Sequence, residues 1–441
     1  MSELKIGFSR CDITPDLGCL MSGYFETRVS DGVLLPLLGT AVAATDGADT
    51  VIIMSLDLVG IYKYDQDVLR KYVAEAVGLT SDSVMIACTH THLGPVISRE
   101  EDGFDLHVFD QLKARLGELA KSAMADMRPA EMYFAEDSAQ DVSFVRIFKM
   151  QDGTIMTNPG WQNPDVLEQI GEGDDRVGLV VFKREDAPDV ALINFQVHAD
   201  VIGGTKFCAD YPHYVRETFE KSVENTLCMY INGANGDLNH IDIRLGKSEM
   251  RDGLPRSEYM GRKIAESAAN AYTRLRKSVE STVSHIERPF DVSVDKGTDE
   301  EVEEAKHVYE IWKTGRENEL FTPEELDSMA HNIAKGKAER IVRLIGHPST
   351  FAMNLCAVRI GDFALACFPA EPFSVIGRRM REEAGFPITF SACCCNGYEN
   401  SYLAMREYYG TNAYEPQASI FACGEAERVS DEMLDILKSL K

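Results

Sequence analysis

The apolar run Val84-Met85-Ile86-Ala87-Cys88, cut short by Thr89-His90-Thr91-His92-Leu93-Gly94-Pro95, constrains this chain more than any other stretch. Consecutive apolar residues stopped by a Gly-Pro pair read as a buried strand with an abrupt end. Side chains two apart along a strand share a face, so His90 and His92 reach into one space at the strand's C-terminal mouth. Open α/β sheets place their ligands at that end. Neutral imidazole is the commonest metal ligand, and a catalytic zinc takes three protein groups and keeps one position open. Two histidines leave that set incomplete, and alone they read more readily as polar residues ending a strand.

Other strand ends carry similar residues. Residues 190–198 alternate, with Ile193, Phe195 and Val197 on one face and Asn194, Gln196 and His198 on the other, so His198 closes a half-buried strand on its polar side. Glu371 follows the strand pair expected at 351–368 and precedes a helix at 374–383; it reads either as a helix-dipole residue or as a site carboxylate. Asp57 ends the second strand of a hairpin whose arms are 39–44 and 50–56, where it is a loop-starting aspartate or a partner for a metal-bound histidine. The loop Asn232-Gly233-Ala234-Asn235-Gly236-Asp237-Leu238-Asn239 follows an apolar strand; its glycines suit a tight turn or a close backbone approach to a ligand, and it lacks the spacing of a phosphate cradle.

Helical spacing appears at 65–76, 109–127, 213–223, 257–276 and 425–440, and residues 131–150, which include Arg146, read as an antiparallel pair. Capping boxes at Thr298 to Glu301 and Thr322 to Glu325 announce two helices of a charged insertion at about 295–345, read as a cover for the site or as a solvated hairpin. A last strand at 388–395 runs into a loop rich in tyrosine. No repeat or flexible linker interrupts the chain, so a single domain spanning 1–441 is expected.

A formal net charge of −26 works against nucleic acid and anionic lipid as partners and favours a small-molecule substrate. No run of about eighteen apolar residues spans a bilayer, the N-terminus does not read as a secretory leader, and no stable membrane association is expected. Eleven cysteines, three of them adjacent at Cys393, Cys394 and Cys395, suit reduced thiols in the cytoplasm. A homo-oligomer is compatible with all of this.

Taken together, Asp12-Ile13-Thr14-Pro15 with Gly23-Tyr24, Ser55-Leu56-Asp57, Thr89 to Pro95, Asn194-Phe195 with His198, Ala209-Asp210-Tyr211-Pro212, Gly233 with Gly236-Asp237, Pro369 with Glu371-Pro372, and Asn396-Gly397-Tyr398 followed by Tyr402 and Tyr414-Glu415 resemble, in that order, the neutral/alkaline non-lysosomal ceramidases. The resemblance implies an α/β fold of mixed β-sheets packed between layers of helices. It also implies a zinc amidase in which zinc-bound water attacks a C–N amide bond of a small N-acylated substrate. Carried over, the zinc ligands are His90, His198, Glu371 and Tyr402, with Tyr398 as the rival tyrosine; His92, Arg146 and Tyr414 surround the scissile carbonyl, and Asp237, Asn239 and Tyr398 contact substrate. Asn239 replaces the serine of the family's glycine loop, and the family's leader and C-terminal immunoglobulin-like domain are not expected here. Ester or glycosidic hydrolysis at the same zinc, or a non-catalytic metal-stabilised binding module, are the alternatives.

Overall fold

Both faces of the strand Thr50–Leu56 are apolar, and this sets the layering: Ile52, Met54 and Leu56 belong to one buried cluster, Val51 and Ile53 to another. A computed structural model describes residues 3–246, 253–326, 328–399 and 401–441. In the main sheet the strands lie in the order Thr226–Asn232, Asp189–Phe195, Arg176–Arg184, Arg128–Ser138, Lys5–Asp12, Leu38–Thr45, Thr50–Leu56 and Val84–Cys88. The first and last pairs are parallel and the pairs between them antiparallel.

Helices Lys63–Val77, Leu106–Ala125, Tyr211–Ser222 and Leu254–Tyr272 bury their apolar stripes against one face of this sheet. Its other face packs on a second sheet, Val283–Ser293, Thr350–Ile360, Phe363–Cys367 and Ile388–Ala392. Helices Ser374–Glu383 and Glu425–Ser439 close the outer side of that sheet. The result is the mixed α/β architecture expected from the sequence, two sheets between two layers of helices.

The main sheet curls until its edges meet. Ser55 Oγ donates to the Tyr230 carbonyl at 2.6 Å, and Asn232 Nδ2 donates to the Thr89 carbonyl at 3.0 Å. Asn194 Nδ2 reaches the Ser391 carbonyl at 3.0 Å and Cys393 N the Asn232 carbonyl at 3.1 Å. Strand ends far apart in the sheet order, and one end of the second sheet, thereby converge.

Asp57 anchors this convergence without touching a histidine. Its carboxylate, fully buried, accepts from Arg216 Nη2 at 2.6 Å, Arg216 Nη1 at 3.0 Å, Leu38 N at 2.8 Å and Thr89 Oγ1 at 3.2 Å. The partnership with a metal-bound histidine offered by the sequence is therefore replaced by an ion pair that ties the helix Tyr211–Ser222 to the loop leading to His90. Residues 131–150 also differ from expectation. A left-handed turn at Asp141 (φ 65°) separates the main-sheet strand Arg128–Ser138 from Ile147–Met150, which joins a small sheet with Ile155–Thr157 and Val166–Gln169.

The insertion forms helices Asp299–Lys313 and Met329–Arg343, packed on each other through Ala305, Ala338 and Ile341. Thr298 and Glu301 make the expected capping box. The box at Thr322 opens only the single turn Pro323–Leu326 before Ser328 caps the next helix.

Arg216→Ala leaves the Asp57 carboxylate buried without its cation, so unfolding free energy from chemical denaturation is expected to fall by about 3–5 kcal/mol. A loss below about 1 kcal/mol would mean that the pair does not anchor the fold.

Candidate metal centre

The strand Val84–Cys88 stops before either histidine of the Thr-His-Thr-His stretch. His90 takes a left-handed backbone (φ 67°), costly for a residue with a Cβ, while His90 N donates to the Leu58 carbonyl at 2.9 Å. A turn, and not strand alternation, thus brings His90 and His92 together, with their rings 4.9 Å apart. His198 lies three residues beyond the strand Asp189–Phe195, its ring 4.9 Å from that of His90. Glu371 arrives from the second sheet. Its two-residue strand with Pro372 runs parallel to Tyr402-Leu403, with Glu371 and Tyr402 as register partners. Gly236 allows this approach: a Cβ there would stand 2.6 Å from the Glu371 carbonyl.

Hydrogen-bond accounting fixes what these side chains offer. His90 Nδ1 lies 2.7 Å from the Val59 carbonyl, His92 Nδ1 2.8 Å from the Gly23 carbonyl, and His198 Nδ1 3.0 Å from the carbonyls of Asn235 and Leu238. Carbonyls only accept, so each Nδ1 carries the hydrogen and each neutral ring turns an Nε2 lone pair inward. Those lone pairs meet. His90 Nε2 is 3.3 Å from His92 Nε2 and 3.2 Å from Glu371 Oε2, which is 3.0 Å from His198 Nε2. The other carboxylate oxygen, Oε1, accepts from the Tyr398 hydroxyl at 3.2 Å. His198 Nε2 and Glu371 Oε2 are buried and make no hydrogen bond.

Four electron-rich atoms facing one another need a cation between them. Ring nitrogens of His90, His92 and His198 fall within 4.8 Å of one another, close enough to surround one ion. Without a metal a proton does this work in part. Burial disfavours a charge on His90, yet Glu371 outweighs it and pushes the pKa up to about 9. Burial favours a neutral Glu371, but His90 and His198 hold it well below the usual carboxylate range. Burial lowers His92 to about 3, helped by His90, and His198 to about 4, helped by Arg146.

Tyr402 stacks beside His198 at 6.3 Å between ring centroids, and Tyr414 lies edge-on to Tyr402 at 5.8 Å. The Arg146 guanidinium is 5.4 Å from the Tyr402 ring; its Nη2 donates to the Gly236 carbonyl at 2.7 Å. Burial opposes its charge, but Glu415, with Oε1 2.6 Å from Arg146 Nε, holds it firmly protonated. Thr157 Oγ1 donates to the other Glu415 oxygen at 2.6 Å.

The structure therefore gathers His90, His92, His198, Glu371, Tyr398, Tyr402, Arg146 and Tyr414. Asp237 and Asn239 are spent elsewhere. Asp237 accepts from Ser374 N at 2.6 Å and Ser374 Oγ at 2.9 Å at the start of helix Ser374–Glu383, and Asn239 bonds Asn158 at 2.8 Å and Ile241 N at 3.1 Å. Sequence reasoning gave Glu415 no role; its place beside Tyr414 was the only signal. The carbonyls that orient the three rings carry no side-chain signature at all.

No family profile matches the chain, and no curated protein does either. Solved structures do match. Neutral ceramidase from Pseudomonas aeruginosa superposes with a TM-score of 0.74 at 17% identity, covering 100% of this chain and 75% of that one. A ceramidase complexed with C2 gives 0.72 at 15%, with the same coverage. The fold is that of neutral ceramidase, as the motif order implied.

Protein freed of metal by chelation is expected to bind one equivalent of zinc in calorimetry. Zinc at about 100 times its Kd should raise stability by about 2.7 kcal/mol. His198→Ala or Glu371→Gln should weaken binding on the order of a hundredfold or more while circular dichroism stays unchanged. Undiminished binding by either variant would remove these side chains from the centre.

Proposed function

We propose that the chain is a zinc-dependent hydrolase that cleaves the C–N amide bond of a small N-acylated substrate. The observation that carries this reading is the convergence of inward-facing acceptors, two of them without a hydrogen bond, beside a buried and charged arginine. His90, His198, Glu371 and Tyr402 would hold the ion. When bound, zinc supplies hydroxide at neutral pH and a Lewis acid for a carbonyl oxygen.

The chain's own residues supply the rest. His92 is partly exposed, whereas His90, His198 and Glu371 are buried; one accessible side suits a catalytic site better than a closed structural one. Held neutral, with its Nδ1–H on Gly23, His92 takes a proton at Nε2 from the attacking water and returns it to the leaving nitrogen. Arg146, fixed by Glu415 and Gly236, and the Tyr414 hydroxyl donate to the oxyanion that develops on the former carbonyl. Tyr398 orients Glu371 through its hydrogen bond. None of the eleven cysteines is in a disulfide, which supports a reducing, cytoplasmic setting.

Zinc-loaded protein should release amine from at least one of an N-acyl amino acid, an N-acyl sugar or ceramide. His90→Ala should abolish release, and Arg146→Ala should lower kcat by about 10²–10³. Turnover that survives His90→Ala, or confinement to an ester of the same acyl group, would overturn the reading.

A further inference from the structure

The roof of the centre carries a charge with no part in the chemistry above. Helix Met329–Arg343 lies over the tyrosines that wall the histidines. A Cβ at Gly336 would come within 3.0 Å of the Tyr414 ring, and Arg343 Nη1 donates to the Tyr62 hydroxyl at 3.1 Å. Glu339 stands three residues after Gly336 and four before Arg343, so helix geometry sets it on the same face, between those two contacts. From Tyr414 the wall continues through Tyr402 at 5.8 Å to His198 at 6.3 Å. From Tyr62 it continues through Tyr398 at 6.0 Å to His90 at 5.9 Å. Glu339 thus sits at the head of both aromatic walls.

Of the three cations around it, two are ion-paired with other carboxylates and the third, Arg343, spends its hydrogen bonds on neutral groups. Lys335 Nζ pairs with Glu317 at 2.9 Å, Lys313 Nζ with Asp102 at 2.9 Å, and Arg343 Nη2 donates to the Glu399 carbonyl at 2.7 Å. The Glu339 side chain is only partly exposed and makes no hydrogen bond or ion pair among the described residues. Burial raises its pKa against the pull of Arg343 and Lys313. Burial also pushes the nearby Glu101 carboxyl up to about 7, with Glu339 adding to the effect as a like charge. Negative charge is in surplus here, and a carboxylate kept partly from water without a partner is costly unless a ligand supplies one.

We propose that Glu339 is a specificity-determining residue, and that the substrate is an amide bearing a cationic ammonium or guanidinium group on an arm several methylenes from the scissile bond. The spacing follows from the two rings that separate Glu339 from the histidines along each wall. This rests on the hydrolase reading, and the net charge of −26 favours attraction of the same class of molecule.

The test compares N-octanoyl cadaverine, charged on the amine side, and the pentylamide of aminohexanoic acid, charged on the acyl side, with uncharged N-octanoyl pentylamine. Wild type is expected to favour one charged amide over the neutral one by at least tenfold in kcat/KM, and Glu339→Gln should bring that ratio close to one. Equal rates on all three, or a preference that persists in Glu339→Gln, would overturn the proposal and leave the hydrolase reading standing. If no amide is cleaved, calorimetry with cadaverine and with aminohexanoic acid pentylamide still decides. Binding of either that weakens at least tenfold in Glu339→Gln supports the carboxylate's role, and binding unaffected by the substitution, or none, overturns it.

Discussion

Three imidazoles whose outer nitrogens are tied to backbone carbonyls, with the inner nitrogens of His90 and His198 turned on the Glu371 carboxylate and that of His92 turned on His90, form the interaction on which the rest depends. No arrangement of hydrogen atoms on neutral rings satisfies it, because the donors have already been used on Val59, Gly23, Asn235 and Leu238. A lone proton on His90 relieves part of the conflict; a divalent cation relieves all of it. The positive φ at His90 and the close approach at Gly236 are local costs the fold bears to hold these atoms at hydrogen-bond range.

The two sheets contribute differently. His90, His92 and His198 come from opposite regions of the curled main sheet, whereas Glu371 and Tyr402 come from the second sheet as register partners. Asp57 and Arg216 brace the first set from below, and Glu415 braces Arg146 from the side. The candidate centre thus sits at a seam between layers, where each layer fixes part of the geometry and neither completes it.

Much of this was legible in the residues. Apolar runs and their stops marked the strands whose ends carry His90, His198 and Glu371, and the order of short motifs pointed to the fold. What could not be read was whatever depends on closure in space. Alternation along a strand suggested why His90 and His92 converge, but a left-handed turn does it. Asp57 looked like a partner for histidine because nothing local reveals Arg216, 159 positions on. Asp237 looked like a ligand-facing residue of a glycine loop, while its partner Ser374 lies 137 positions away. Backbone carbonyls that set a tautomer leave no trace in composition or spacing.

The meeting of the sheet's two edges also governs when the centre comes into being during synthesis. His90 and His92 leave the ribosome early, but Glu371 and Tyr402 belong to the last fifth or so of the 441 residues, and the seam they complete is made of contacts between distant parts of the chain. Nascent chains therefore carry all three histidines well before Glu371 and Tyr402 have been made, and the centre is complete only when the final strands have docked.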